Sequence, residues 1–175
     1  AGVMPANASV MPVLFRATPE AALSGKLAEV IAALQDEKQP NLKVEGKVQQ
    51  NIALVRGQNQ IPFWVEYTSK LPVAVTEESP FTLAVVEPKV PLVRGGQMNL
   101  KVVATRKEGF KAPIKVDLLW VPPGLGASGS ISIAEGQTEA LIPMNAAGNA
   151  ELNTWRVSVR GQSDAGKGPF EVASP

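Results

Sequence analysis

Apolar and polar positions alternate along most of the chain in short stretches, and the alternation is clearest in the second half. Phe81, Leu83 and Val85 interleave with Thr82, Ala84 and Val86, ending at Glu87-Pro88. Met98, Leu100, Val102 and Ala104 interleave with Asn99, Lys101, Val103 and Thr105. Ile114, Val116, Leu118 and Trp120 share one phase, with Lys115 and Asp117 in the other, until Val121-Pro122-Pro123-Gly124 stops the run. The same period appears in Ile131 and Ile133, in Ala140, Ile142 and Met144, in Trp155, Val157 and Val159, and in Phe170 and Val172. A period of two puts alternate side chains on opposite faces of a strand, so each run predicts a β-strand with one buried face. About seven such strands follow one another between Gly- and Pro-containing turns, the pattern expected of two antiparallel sheets packed face to face. Trp120 and Trp155 fall in phase with aliphatic neighbours and are the expected core anchors.

The first half is more mixed. Leu42 to Val48, Ile52 to Val55, Ile61 to Tyr67 and Val73 to Thr76 read as strands, with Gly57-Gln58-Asn59 as a hairpin turn between the second and third. Ala21, Leu23, Leu27, Val30, Ile31 and Leu34 recur at helical spacing over residues 20–36. Gly25 lies inside that stretch and Pro19 just before it, and an internal match favours a strand. Shifting the chain by 129 residues lays Met4 to Ser9 over Ile133 to Thr138 and brings Val13 onto Ile142, Phe15 onto Met144 and Leu23 onto Leu152. The same shift makes residues 26–34 a strand, matched to the Trp155–Arg160 strand. Leu-Val-Arg-Gly also occurs twice, at Leu54–Gly57 and Leu92–Gly95. The offset implies that the chain enters a module around its fourth or fifth strand, with the front of that module upstream of Ala1. Glu77-Glu78-Ser79-Pro80 is the best boundary between halves. The expected organisation is all-β: a tandem immunoglobulin-like β-sandwich, with a partial or atypical first module over residues 1–80 and a second over 81–175.

Composition then narrows the chemistry. The 175 residues include 21 valines, 15 glycines and 15 prolines, but no Cys and no His. Without those two residue types there is no disulfide framework, no Cys/His zinc site, no Cys nucleophile and no Ser-His-Asp triad. Seventeen Lys+Arg against sixteen Asp+Glu leave a formal charge of +1 with no basic block, which argues against nucleic acid as a partner. No apolar run is long enough for a membrane-spanning helix.

Gly161-Gln-Ser-Asp-Ala-Gly166-Lys167-Gly168 approaches a phosphate-binding loop. Gly168 stands where that chemistry needs Ser or Thr for Mg²⁺, and Pro169-Phe170 begins no helix, so the stretch is expected to be a hairpin loop. Scattered carboxylates offer two further readings: paired acids for glycoside hydrolysis, or calcium at the junction through Glu77 and Glu78. Neither has a cleft or an Asp-rich ligand string behind it, and solvated acidic loops are the default. The densest aromatic stretch is Pro62-Phe63-Trp64-Val65-Glu66-Tyr67, in which Trp64 and Tyr67 are the candidate contacts for a partner or a glycan, packing on a neighbouring module being the commoner use. Asn7-Ala8-Ser9 fits a glycosylation sequon. No catalytic residue, cofactor site or metal site is expected.

The strings Phe-Thr-Leu-Ala-Val-Val-Glu-Pro, Pro-Leu-Val-Arg-Gly-Gly, Thr-Arg-Lys-Glu-Gly-Phe-Lys-Ala-Pro-Ile, Pro-Pro-Gly-Leu-Gly and Ile-Ala-Glu-Gly-Gln-Thr-Glu-Ala, in that order from Phe81 to Ala140, resemble tandem immunoglobulin-like modules of large exported bacterial proteins, found near pre-peptidase C-terminal-type domains. The resemblance covers about residues 81–172 well and 1–35 more faintly, and it rests on turns and strand edges. It implies a non-catalytic spacer or adhesion segment of a larger cell-envelope protein, located in the periplasm, on the cell surface or outside the cell. Its partners would be neighbouring modules of the parent chain and, through open strand edges, further copies. The alternative is a carbohydrate-binding module accessory to a secreted hydrolase.

Overall fold

The structure, a computed structural model, describes residues 4, 10–18, 20–34, 36, 38–164, 166 and 168–174. These residues are all-β, built from antiparallel pairs throughout. They divide into two compact units. One spans residues 17–77; the other joins residue 78 onward with the chain up to residue 16. The residues 5–9 invoked by the 129-residue offset, with the sequon at Asn7, lie outside the described residues.

In the second unit, eight strands make two four-stranded sheets. They are β7 (Phe81–Val85), β8 (Gln97–Arg106), β9 (Ile114–Leu118), β10 (Leu125–Ala127), β11 (Ile131–Ile133), β12 (Glu139–Ala146), β13 (Val159–Asp164) and β14 (Pro169–Ala173). One sheet runs β10-β12-β8-β7 and the other β11-β9-β13-β14. The alternation in sequence becomes a dry interior. Phe81, Leu83, Leu100, Val102, Ala104, Ile142 and Met144 of the first sheet join Ile114, Val116, Ile133 and Val159 of the second in one buried cluster. Phe110, half-buried on the loop after β8, stacks on Phe81 with ring centroids 5.6 Å apart.

Two features differ from expectation. The strand expected at Trp155–Arg160 instead begins at Val159 and runs through the glycine-containing stretch to Asp164. Its inward positions are Val159, Gly161 and Ser163, all buried. Gly161 offers no side chain for a periodicity to register. The reason is space: a Cβ built there would lie 2.6 Å from Leu83 Cδ1, 3.0 Å from Phe81 Cε2 and 3.1 Å from Ile114 Cγ2. Strand β10 had no counterpart in the sequence reading, and its shortness has a local cause. The Ser128 N–H donates to the Pro143 carbonyl at 3.1 Å. Proline has no N–H to return that bond, so the ladder between β10 and β12 ends and the chain peels away.

Arg106 closes one end of the sandwich. Its Nε donates to the Gln137 carbonyl at 2.8 Å, one terminal nitrogen to Ala112 at 2.6 Å and the other to Ala134 at 3.2 Å. The guanidinium also sits 5.5 Å from the Phe110 ring centroid. Partial burial pulls its pKa down, but three carbonyls favour the charged form. A lysine cannot span three separate acceptors. Arg106→Lys is therefore expected to lower sandwich stability by about 1–3 kcal/mol, read as a fall in the denaturant midpoint. An unchanged midpoint would mean that water satisfies those carbonyls equally well.

Strands β1 to β6 belong to the first unit: β1 (Ser24–Ala28), β2 (Ile31–Ala33), β3 (Glu45–Lys47), β4 (Gln50–Arg56), β5 (Pro62–Thr68) and β6 (Leu71–Val75). They pair as three two-stranded ribbons: β1 with β6, β2 with β3, and β4 with β5. The stretch with helical spacing is thus two strands, broken at Glu29-Val30. Its propensity is overridden by pairing of Lys26 with Val73 and Ser24 with Val75 on a β-branched partner, and Gly25 weakens the competing helix. The turn joining β4 to β5 falls at residues 57–61, with Asn59 and Gln60 at positive φ.

Candidate interaction surface

The three ribbons meet where their connections come together. Glu29 lies between β1 and β2, Lys47 ends β3, and Lys70 lies between β5 and β6. One Glu29 oxygen sits 2.9 Å from Lys70 Nζ and the other 3.1 Å from Lys47 Nζ. A single carboxylate therefore ties together three segments far apart in sequence. The hydrogen bond from Lys70, then the one from Lys47, then their positive charges hold Glu29 below the usual carboxylate range. A lowered native pKa means that the tie is fully present above the ordinary carboxylate value and is lost as pH falls through the lowered one. A carboxyl-carbon NMR titration is expected to give Glu29 a midpoint below that of an unperturbed glutamate, moving up in Lys70→Ala. A midpoint at or above the ordinary value would refute the tie.

None of the described residues in the 17–77 unit is fully buried, and β5 carries its most exposed aromatics. Phe63 is 85% exposed, Trp64 56% and Tyr67 64%. Trp64 and Glu66 are two residues apart on one face, and the indole N–H donates to Glu66 Oε1 at 3.0 Å, which ties down the ring's nitrogen edge in a side chain that stays exposed. On β4, Val55 stands opposite Trp64 and Ile52 opposite Glu66, both side chains also exposed. The two aromatic contacts proposed from sequence, Trp64 and Tyr67, are thus on one strand and accessible.

Trp120 and Trp155 lie elsewhere, in the sandwich unit. Both are half-buried and pack edge-to-face with centroids 5.6 Å apart. Trp120 follows β9 and Trp155 precedes β13, so the pair fastens two connections beside the aliphatic cluster.

The glycine-rich stretch is not a phosphate loop. Gly161–Asp164 is strand, and the chain re-enters strand at Pro169 rather than opening a helix. Several carboxylates are engaged in ion pairs with residues distant in sequence. Asp117 accepts from Arg160 at 3.1 Å, with Glu171 3.8 Å from the same guanidinium, a ladder across β9, β13 and β14. Glu139 pairs with Lys101, and Glu78 with Lys107. A surface groove of about 430 Å³ beside the end of β10 is lined by Gln97, Asn99, Ser128, Pro143 and Asn145, with no acid or base among its lining side chains. Among the described residues, no group of three His, Cys, Asp or Glu could hold a metal ion. No helix among them is long and apolar enough to cross a membrane. The sequence reading missed Glu29, Lys47 and Lys70; the nearest signal was the polar break at Ser69-Lys70 between two apolar runs.

No family model matches the chain, and no curated protein matches it by sequence. Among solved structures, the chain is similar to the crystal structure of the S-layer protein SbsC domains 4 and 5, at 21% identity and a TM-score of 0.30. The match covers 63% of this chain and 61% of that one.

Proposed function

We propose that the chain is a non-catalytic structural segment, a spacer or adhesion piece of a larger exported bacterial cell-envelope protein, and that its sandwich is an immunoglobulin-like module. One observation carries the non-catalytic part: the polar side chains that converge in the sandwich converge on its own backbone and across its own strands. Arg106 clasps three carbonyls, Arg94 Nε donates to Ala150 at 2.6 Å, and Arg160 bridges Asp117 and Glu171. The strand order supports the immunoglobulin-like reading. Sheet β7-β8-β12-β10 follows the A-B-E-D order and β9-β13-β14 the C-F-G order. It departs in one respect, because β11 adds to the free side of β9 after β10 has already joined the other sheet. The resemblance of residues 81–172 to modules of exported bacterial proteins supports the location.

Fractionation of the source cells, with protease added outside intact cells, tests the location; a chain found only in the cytosol would sink it. Incubation of the purified chain with ester, glycoside and peptide substrates tests the first part. Turnover that co-purifies with the chain and is removed by a point substitution would overturn it. A second reading, glycan binding, is favoured by the exposed Trp64, whose indole N–H is held by the Glu66 carboxylate. Glycan-array binding lost in Trp64→Ala and in Tyr67→Ala would select it.

A further inference from the structure

We propose that β5 is a self-association edge, and that two copies of the chain pair antiparallel along it about a two-fold axis at Val65. This inference is independent of the cellular location proposed above. A two-stranded ribbon is at best marginally stable in water, whereas three or more strands with an apolar face are stable. The β4–β5 ribbon is the longest in its unit, has no third strand among the described residues, and leaves Ile52, Leu54, Phe63, Trp64 and Tyr67 exposed.

The other edges carry devices that discourage pairing. Strands β2, β3, β10 and β11 are three residues long; β1 has Lys26 at its centre, β6 has Pro72, and β14 is five residues long against seven in β5. The β4–β5 ladder is irregular between Ala53 and Arg56, with Leu54 the extra residue on β4 and Phe63 the extra residue on β5, so the regular stretch of β5 is Trp64–Thr68. β7 is five residues long and alternates into the core, leaving only Thr82 and Ala84 outward. Strand β5 is seven residues long with no Lys or Arg, and its one proline is the first residue, where a strand tolerates it.

The residues of β5 are self-complementary about Val65. With Val65 opposite Val65, Trp64 of each copy faces Glu66 of the other, Phe63 faces Tyr67, and Pro62 faces Thr68. The bond between the Trp64 indole and the Glu66 carboxylate within one strand shows that the two side chains suit each other. An aromatic cross-strand pair forms on each side of the axis. Moving the axis to Glu66 would set two carboxylates opposite each other, and of the remaining registers the one centred on Val65, the middle residue of β5, lets all seven residues pair. The product is a four-stranded sheet, β4-β5-β5-β4, closed on its own symmetry.

The test uses the whole chain, which has no native Cys. Light scattering across about 1 μM to 1 mM should show monomers giving way to dimers. In the Val65 register, two Cα atoms at position 65 would stand about 4.5–5.5 Å apart, within disulfide reach. Val65→Cys should therefore be captured as a disulfide dimer under mild oxidation, and Ala74→Cys, on the exposed side of β6, should stay monomeric. Val65→Lys, which sets two cations face to face, should weaken dimerisation about tenfold or more while leaving the unfolding of the sandwich unit unchanged. Should Val65→Lys unfold the ribbon itself, cysteine capture still decides. A chain that stays monomeric to about 1 mM, or a dimer captured through Ala74→Cys and not through Val65→Cys, overturns the proposal.

Discussion

Phe81→Ala is expected to lower the unfolding free energy of the sandwich by about 3–5 kcal/mol. The ring is 1% exposed, stacks on Phe110, and shares the buried cluster with Leu83, Ile114 and Val159. It stands on β7, the strand at one end of its sheet, so its truncation opens the interior at a place closed by that ring. Single domains are stable by about 5–15 kcal/mol in total, which makes the loss a large fraction of the whole. Guanidinium unfolding should show a lower midpoint at unchanged slope, the signature of lost stability without a change in the surface exposed. Phe63→Ala is the internal contrast. That ring is 85% exposed in the other unit, and its removal should stay within about 0.5 kcal/mol. A loss below about 1 kcal/mol for Phe81→Ala would mean that the sandwich does not close on this ring.

What could be read beforehand depended on whether a residue announces its direction by its own side chain. Strands β7, β8, β9, β11, β12 and β14 carry the alternation in their own side chains and lie where it put them, except that β9 stops at Leu118, short of the Trp120 that continued its phase. The periodicity of β13 is hidden, because two of its three inward residues are Gly161 and Ser163. Ser163 is accommodated by donating its hydroxyl to the Pro113 carbonyl at 2.7 Å, a partner fifty residues away that no local pattern reveals. In the 17–77 unit β3 to β6 and the hairpin joining β4 to β5 were legible, but the break between β1 and β2 and the other two pairings were not. Joining β1 to β6 requires knowing that residues 24–28 meet residues 71–75, and no residue between them encodes that contact. The Glu29–Lys47–Lys70 tie is hidden for the same reason, since three charges scattered through a sequence look like solvated surface. Trp64 and Tyr67 were legible as candidate contacts because aromatic density survives in any topology. Their neighbour Glu66 gains its role only through its hydrogen bond to the indole.

Gly161→Val should cost about 3 kcal/mol or more, although glycine-rich sequence is ordinarily the most tolerant part of a chain. The position does not need a glycine conformation, because its φ lies outside the left-handed region; it needs empty space. Even the first carbon of a side chain would press on Leu83, Phe81 and Ile114, which are 4%, 1% and 0% exposed and have little room to turn away. Gly161→Ala should therefore lose about 1–3 kcal/mol, and the branched valine more. Thermal unfolding of the two variants, ranked against the parent, checks the order; equal stability of all three would show that β13 does not enter the core at this point. The contact with Phe81 adds a sharper test, since substitutions that share a cavity are not additive. Truncating Phe81 removes one of the atoms that the new side chain strikes and opens volume beside it. The double variant Phe81→Ala/Gly161→Val should lose measurably less stability than the sum of the two single losses. A strictly additive result would place the two residues in separate parts of the interior and break the packing argument for both.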